Sequence, residues 1–321
     1  MRQSFTIKAF KKLIWTAAVL LLCACSNVAY SEKNPQYLYT YCDENNSKEV
    51  FVEMLDEDLK TVYREKINTP ADISYVSYTD GILYMHGPGG FYQFDVSDRG
   101  IQKLSDKDVG DFFRFEEGII YVENVGFQQN DGYRSNIYLN ETFLFSVDYA
   151  VNSLYVDHQK IYVTNLPHSE KDENYYTFVY DQNGQLLDRR QFDDSGTVMN
   201  IQNNICYVTN KGYTNIATNE QFDFHSSLFS PYPILDSTNG IHIADWDFIN
   251  LSCRLLDETR KQIEWERDCK MIDYSGNGIL ILRTSSDEYV ITDVKNDKEK
   301  VLSIPDDKKS LGHLFLISQE M

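Results

Sequence analysis

A strand-length apolar run recurs along this chain, often just behind a glycine. TDGILYMH (79–86), EEGIIYVE (116–123), TNGIHIAD (238–245) and GNGILILR (276–283) share that shape. HQKIYVTN (158–165) and QNNICYVTN (202–210) share it without the glycine. Each is preceded by another apolar stretch, such as ISYVSY (73–78) or SLYVD (153–157). Short apolar runs of this kind, bounded by turn residues, mark β-strands. Asp80-Gly81 and Asn277-Gly278 mark two-residue hairpin turns, because that turn needs positive φ at both central positions. Each unit therefore opens with a hairpin, strand A to strand B.

A second landmark follows each hairpin. Strand C ends in Asp or Asn, a polar turn comes next, and strand D returns. The series is Asp56, Asp95, Asn140, Asp181, Asn219, Asp257 and Asp293, at steps of 39, 45, 41, 38, 38 and 36 residues. An Asp or Asn side chain suits this place because it caps the turn's own backbone. One such group per repeat reads as a turn signal, not as a set of metal ligands.

Four short strands at a period near 40 residues resemble the blades of a β-propeller. Seven landmarks predict an all-β, seven-bladed β-propeller of four-stranded antiparallel blades. The expected blades are 73–104, 111–147, 151–192, 197–228, 232–266 and 269–303, with the seventh made of 312–318 plus 37–67. YLYTYC (37–42) lacks a strand A before it, and GHLFLIS (312–318) is a strand A without a hairpin partner. Pairing the C-terminal strand A with N-terminal strands B, C and D would close the ring and leave no open edge. Six and eight blades stay open as alternatives, and 197–228 is the weakest repeat. Met54, Leu55, Leu59, Val62 and Tyr63 also fit a helical period, but alignment with the other C–D units favours strand–turn–strand. The resemblance spans 37–318 and is to an architecture. The Trp-Asp ends of WD repeats, Kelch double glycines and tryptophan-docking repeats are missing.

The N-terminus follows a different pattern. Arg2, Lys8, Lys11 and Lys12 precede an apolar run from Leu13 to Ala24. A run that short does not span a bilayer, which takes about 20 residues. A basic start and a short apolar stretch describe an export signal. Leu22-Cys23-Ala24-Cys25 resembles the lipobox of bacterial lipoproteins: aliphatic, tolerant, small, cysteine. Choosing Cys23 would put Leu22 where a small residue belongs, so Cys25 is the residue that the resemblance marks for modification. The resemblance implies that 1–24 is a signal peptide and that the Cys25 sulfur carries a diacylglyceryl group. Two acyl chains hold a protein stably where one does not. Residues 25–36 then form the lipidated cysteine and a tether, and 37–321 the propeller. The eleven residues Ser26 to Gln36 reach roughly 36 Å when extended, at about 3.3 Å each. The expected place is the cell membrane, lipid-anchored and facing outside the cytoplasm, as a monomer.

Charge narrows the partners. Removing the leader's four cations takes the formal charge of -19 to about -23. That excludes nucleic acid, whose phosphates call for Lys and Arg. Four cysteines follow Cys25: Cys42, Cys206, Cys253 and Cys269. An exported chain can pair them or bury them as free thiols, and Cys253–Cys269 is the pair to test. No Cys-x-x-Cys points to zinc.

Catalytic, phosphate-binding and metal motifs are missing from the sequence, so no catalytic residue, metal or cofactor is expected. Gly87-Pro88-Gly89-Gly90 falls between two strands and reads as a B–C loop. The histidines at 86, 158, 168, 225, 242 and 313 do not cluster in sequence, although a ring could gather several at its axis. Asp193-Asp194 and Asp306-Asp307 lie between blades as solvated pairs. Loop length is the one asymmetric feature. GFQQNDGYR (126–134) and LPHSEKDE (166–173) are long B–C loops in neighbouring blades, and NKGYT (210–214) lies in the next. Long loops on a rigid scaffold carry binding. Phe127, Tyr133, His168, Lys211 and Tyr213 are expected to form an aromatic patch. The expected function is a binding or interaction module for a peptide, glycan or envelope protein. The alternative is a lyase- or hydrolase-type propeller enzyme, which would need ionisable groups converging at the axial mouth.

Overall fold

The structure is a computed structural model. It describes residues 34–43, 46–116, 118–128, 132–167, 174–201, 203–223, 231–235, 241–247, 249–256, 263–276, 278–294, 296, 298–304 and 312–317. β1 (Tyr37–Asp43), β2 (Asn46–Leu55) and β3 (Thr61–Asn68) form an antiparallel meander. The second blade is β4 (Tyr75–Thr79), β5 (Ile82–Gly87), β6 (Gly90–Asp95) and β7 (Gly100–Ser105). The third is β8 (Val109–Phe115), β9 (Gly118–Gln128), β10 (Gly132–Leu139) and β11 (Thr142–Val147). The fourth is β12 (Ala150–Asp157), β13 (Lys160–Leu166), β14 (Tyr175–Tyr180) and β15 (Leu186–Phe192). The fifth is β16 (Gly196–Ile201), β17 (Asn204–Thr209), β18 (Gly212–Asn215) and β19 (Gln221–Asp223). The sixth is β20 (Pro231–Leu235), β21 (Ile241–Asp247), β22 (Ser252–Leu256) and β23 (Ile263–Asp268). The seventh is β24 (Met271–Gly276), β25 (Ile279–Arg283), β26 (Glu288–Asp293) and β27 (Lys298–Ser303).

β28 (His313–Leu316) completes the first blade by pairing with β1, with Phe315 opposite Leu38 and Leu314 opposite Tyr39. The molecule is a seven-bladed β-propeller closed by its C-terminal strand. The stretch from Glu53 to Lys66 is strand–turn–strand, with Val52 opposite Glu65.

Local chemistry explains the turns. Asp80 and Gly81 take φ of 49° and 80°, the left-handed pair that a tight hairpin needs. Asp56 Oδ1 accepts the N–H of Asp58 at 3.0 Å and of Lys60 at 2.9 Å. Asp181 Oδ1 does the same for Asn183 and Gln185. One landmark needs correction. In the fifth blade Asn215 caps the turn, accepting from Ala217 and Thr218. Asn219 stands four residues later with φ 61°. Asn140 Oδ1 accepts the Ile119 N–H across the sheet at 2.9 Å. Asp257 lies outside the described residues.

Blades pack through both faces. Tyr37 and Tyr39 meet Ile279, Ile281 and Tyr289 of the seventh blade. Leu38, between them, points the other way, to Leu83, Met85 and Phe94 of the second. Successive side chains alternate sides, so a sheet covered on both faces reads as continuous apolar sequence. Each fully buried Leu or Phe contributes about 1.5–3 kcal/mol.

The first strand of each blade is a sheet edge, and first strands of neighbouring blades meet, β8 with β12, β12 with β16, β20 with β24 and β24 with β28. N–H groups on that free edge need acceptors. Asp111 Oδ2 accepts the Leu154 N–H of the next blade at 2.7 Å. Ser153 Oγ accepts that of Val198 at 3.4 Å, and Asp273 Oδ2 that of Leu314 at 3.1 Å. The register shifts at each of these sites: between Val109 and Asp111, Val151 and Ser153, and Ile272 and Tyr274. A bulge re-aims a side chain, and here it aims an oxygen at the neighbouring blade's backbone.

Candidate functional site: a cleft between the fourth and fifth blades

Turns from second to third strands share one face of the ring with the connections between blades. On that face the β15–β16 connection meets the β17–β18 turn. Phe192, at the end of β15, stacks on Tyr207 of β17 with ring centroids 3.8 Å apart. The Tyr207 hydroxyl donates to the Asp194 carbonyl at 2.8 Å, which fixes the connection. Gly196 makes this possible, since a Cβ there would stand 2.8 Å from the Tyr207 ring. Thr209 Oγ1 accepts the N–H of Lys211 at 3.1 Å and of Gly212 at 3.3 Å, which ties down the turn. Lys211 Nζ then reaches Asp194, 2.9 Å from Oδ1 and 2.8 Å from Oδ2. That carboxylate raises the Lys211 pKa.

The walls enclose a cleft of about 230 Å³. Besides Lys211 and Asp194, its polar lining includes Gln191, Gln221, Thr209, Thr214, Asp193 and Asp223. Phe192 supplies a half-buried ring. Planar acceptors and donors around an aromatic face can hold a ligand with several hydroxyls and one C–H-rich face.

A second cluster lies where the seventh blade meets the closing strand. Asp273 is buried, and burial raises its carboxyl pKa against the opposing charges of His313 and Arg283. His313 Nδ1 stands 3.6 Å from Asp273 Oδ1. Arg283 is buried, 3.5 Å from Asp287. Burial likewise raises the Tyr289 phenol. Among the described residues no three His, Cys, Asp or Glu side chains converge as a metal site.

The residues expected in the loop patch are placed as follows. Lys211 lines the cleft. Tyr213 lines it too, while its ring packs with Cys206 and Val208 and stacks on Phe222 at 4.7 Å. Tyr133 is 38% exposed on β10, opposite Phe127 of β9. The Phe127 side chain and all of His168 lie outside the described residues. Gly126–Gln128 and Gly132–Arg134 continue β9 and β10, so the expected long loop is mostly a lengthened hairpin. Its residues lack an apolar period, which hid the strands. Phe192 and Gln191 were missed because they close a strand of mixed character. Asp193-Asp194 was visible, but its meeting with Lys211 needs the ring.

No family model matches the sequence, and no curated protein matches it. Among solved structures the chain is similar to apo AztD from Citrobacter koseri. The two are 10% identical, with a TM-score of 0.53 over 88% of this chain and 99% of that one. The AfRom2 CNH domain is 7% identical, with a TM-score of 0.47 over 72% and 84%. Dihydro-heme d1 dehydrogenase NirN in complex with DHE is 9% identical, with a TM-score of 0.45 over 85% and 74%. At such identity the likeness to AztD shows the fold alone.

Proposed function

We propose that this protein is a lipid-anchored, extracytoplasmic binding module that takes a saccharide in the cleft between its fourth and fifth blades. The observation that carries the reading is the Phe192–Tyr207 stack beneath a rim of amides, hydroxyls and carboxylates. A sugar ring offers vicinal hydroxyls to such a rim and a C–H face to the phenyl ring. A peptide or envelope protein would engage a broader surface. Tyr75, Tyr133, Leu166 and Ile249 are exposed on the same face and would serve that partner.

The anchor rests on the lipobox. Cys25→Ser is expected to move the protein from the membrane fraction to the soluble one. Glycan and peptide panels, screened with the purified chain and its Phe192→Ala variant, test the ligand. Saccharide binding lost in Phe192→Ala supports the reading. Peptide binding that survives this change overturns it.

One observation favours the enzyme reading: His313 faces Asp273 at the inner seam. That carboxylate already holds the Leu314 N–H, and no further His or carboxylate joins the pair among the described residues. A hydrolase or lyase activity abolished by His313→Ala would shift the balance to catalysis.

A further inference from the structure

Cys253 and Cys269 play no part in the cleft or the seam. Cys253 lies on β22, opposite Arg267 of β23. Just beyond β23, Cys269 donates its N–H to the Leu251 carbonyl at 2.8 Å. The two side chains therefore share a face, one diagonal step apart. Both residues are fully buried with Ala244, Leu255, Leu280 and Leu282, where the sixth blade meets the seventh. Trp246 packs on this cluster and donates its indole N–H to the Cys269 carbonyl at 3.3 Å. Cys42 and Cys206 belong to other clusters.

We propose that Cys253 and Cys269 form a disulfide, made while the chain folds outside the cytoplasm. Both are free thiols in the structure, so the bond needs a two-electron oxidant, a disulfide of protein or glutathione type. One cysteine thiolate attacks a sulfur of that disulfide and expels the other sulfur as a thiolate. The second cysteine thiolate attacks the mixed disulfide and expels the remaining one. Two thiols become one disulfide, and the oxidant leaves as two thiols carrying the electrons and protons.

Timing follows from burial. Exchange needs a thiolate and a path to it. The Cys269 thiol and burial both push the Cys253 thiol up, and the folded blade offers no path. Oxidation therefore precedes the packing of the sixth blade on the seventh. Once made, the bond is shielded from reductants by the same walls. It staples the third strand of the sixth blade to the fourth.

The oxidising setting rests on the export reading, but the pairing does not, so the test separates them. Full-length chain carrying Cys23→Ser and Cys25→Ser is refolded from denaturant in glutathione and glutathione disulfide. It is then unfolded in iodoacetamide without reductant and digested. The expected product is one peptide joining Cys253 to Cys269, lighter by two hydrogens, with Cys42 and Cys206 alkylated. Chain folded first under reductant and then given the same buffer is expected to keep all its thiols. Four alkylated cysteines after oxidative refolding, or any other pairing, overturns the proposal. Wild-type protein from cells, acid-trapped and alkylated, is expected to show the same cross-link. Free Cys253 and Cys269 in protein found outside the cytoplasm overturns the setting, and a cytoplasmic location overturns the export reading.

Discussion

The carboxylate of Asp273 accepts the backbone N–H of Leu314 at 3.1 Å, across the seam where the last blade meets the closing strand. Leu314 is fully exclosed from solvent beside Tyr39 and Ile281. Asp273→Ala leaves that N–H without its acceptor, and a lost buried partner costs about 1–3 kcal/mol. Leu314→Ala opens a cavity, for which about 2–5 kcal/mol is expected. Both act on one seam, so the double variant is expected to lose less than the sum. Urea unfolding of the three variants measures this. An Asp273→Ala midpoint equal to wild type would show that closure does not use the carboxylate.

Asp111 serves Leu154 as Asp273 serves Leu314, and its titration is predicted to tune stability. Burial pushes its carboxyl from 3.8 up to about 6, against N–H bonds from Leu154 and Phe112. Between those values the folded chain holds a proton that the unfolded chain has released. The group's contribution is therefore full below about pH 4 and is lost as pH rises through about 6. The shift corresponds to at most about 3 kcal/mol. Asp111→Asn removes the titration and keeps an acceptor. The stability of wild type minus that of the variant is expected to fall between pH 4 and pH 7. A flat difference would mean that the carboxyl titrates normally.

Gly212 tests how tightly the fifth blade is built. A Cβ there would stand 2.2 Å from the Phe222 carbonyl oxygen, on a backbone that cannot retreat without breaking the Gly212–Asp223 register. Gly212→Ala is expected to cost about 1–3 kcal/mol, the range for overpacking, and to free β19. Gly126→Ala is the control. It has φ 81° and open space around it, so only backbone strain of about 1 kcal/mol is expected. Chemical denaturation with amide exchange at 221–223 separates the two. Slow exchange retained in Gly212→Ala would show that the blade yields elsewhere.

Much of this architecture can be read in the sequence because blades are local. Asp80-Gly81 sets a hairpin with no help from the ring, and the stretches around Tyr39 and Leu314 announce their pairing because one repeat starts without a strand A and the chain ends on a strand A without a hairpin. The side chains that join blades carry no such mark. Asp111, Ser153 and Asp273 work through one-residue register shifts, which leave no period in the sequence. Asn215 and Asn219 are equally good turn residues, and only the length of β18 decides between them. The cleft was half legible. Lys211 stood out in a turn, while Asp194 and Phe192 acquire meaning only when β15 comes beside β17.

The cleft makes the last prediction, and it turns on separating shape from charge. The Lys211–Asp194 pair is solvent-exposed on the lysine side, and water screens such pairs so that they add little to stability. Lys211→Met is therefore expected to leave thermal stability nearly unchanged. Tyr207→Phe keeps the stack on Phe192 but removes the bond to the Asp194 carbonyl, at about 1 kcal/mol. That bond sets where Asp193 and Asp194 stand relative to the phenyl ring. A ligand held by geometry should thus be weakened more by Tyr207→Phe than by Lys211→Met, whereas a ligand held by charge should show the reverse order. Calorimetric titration with whichever saccharide the panel selects reads the order directly. Equal, wild-type affinity in both variants would place the binding surface elsewhere on the ring.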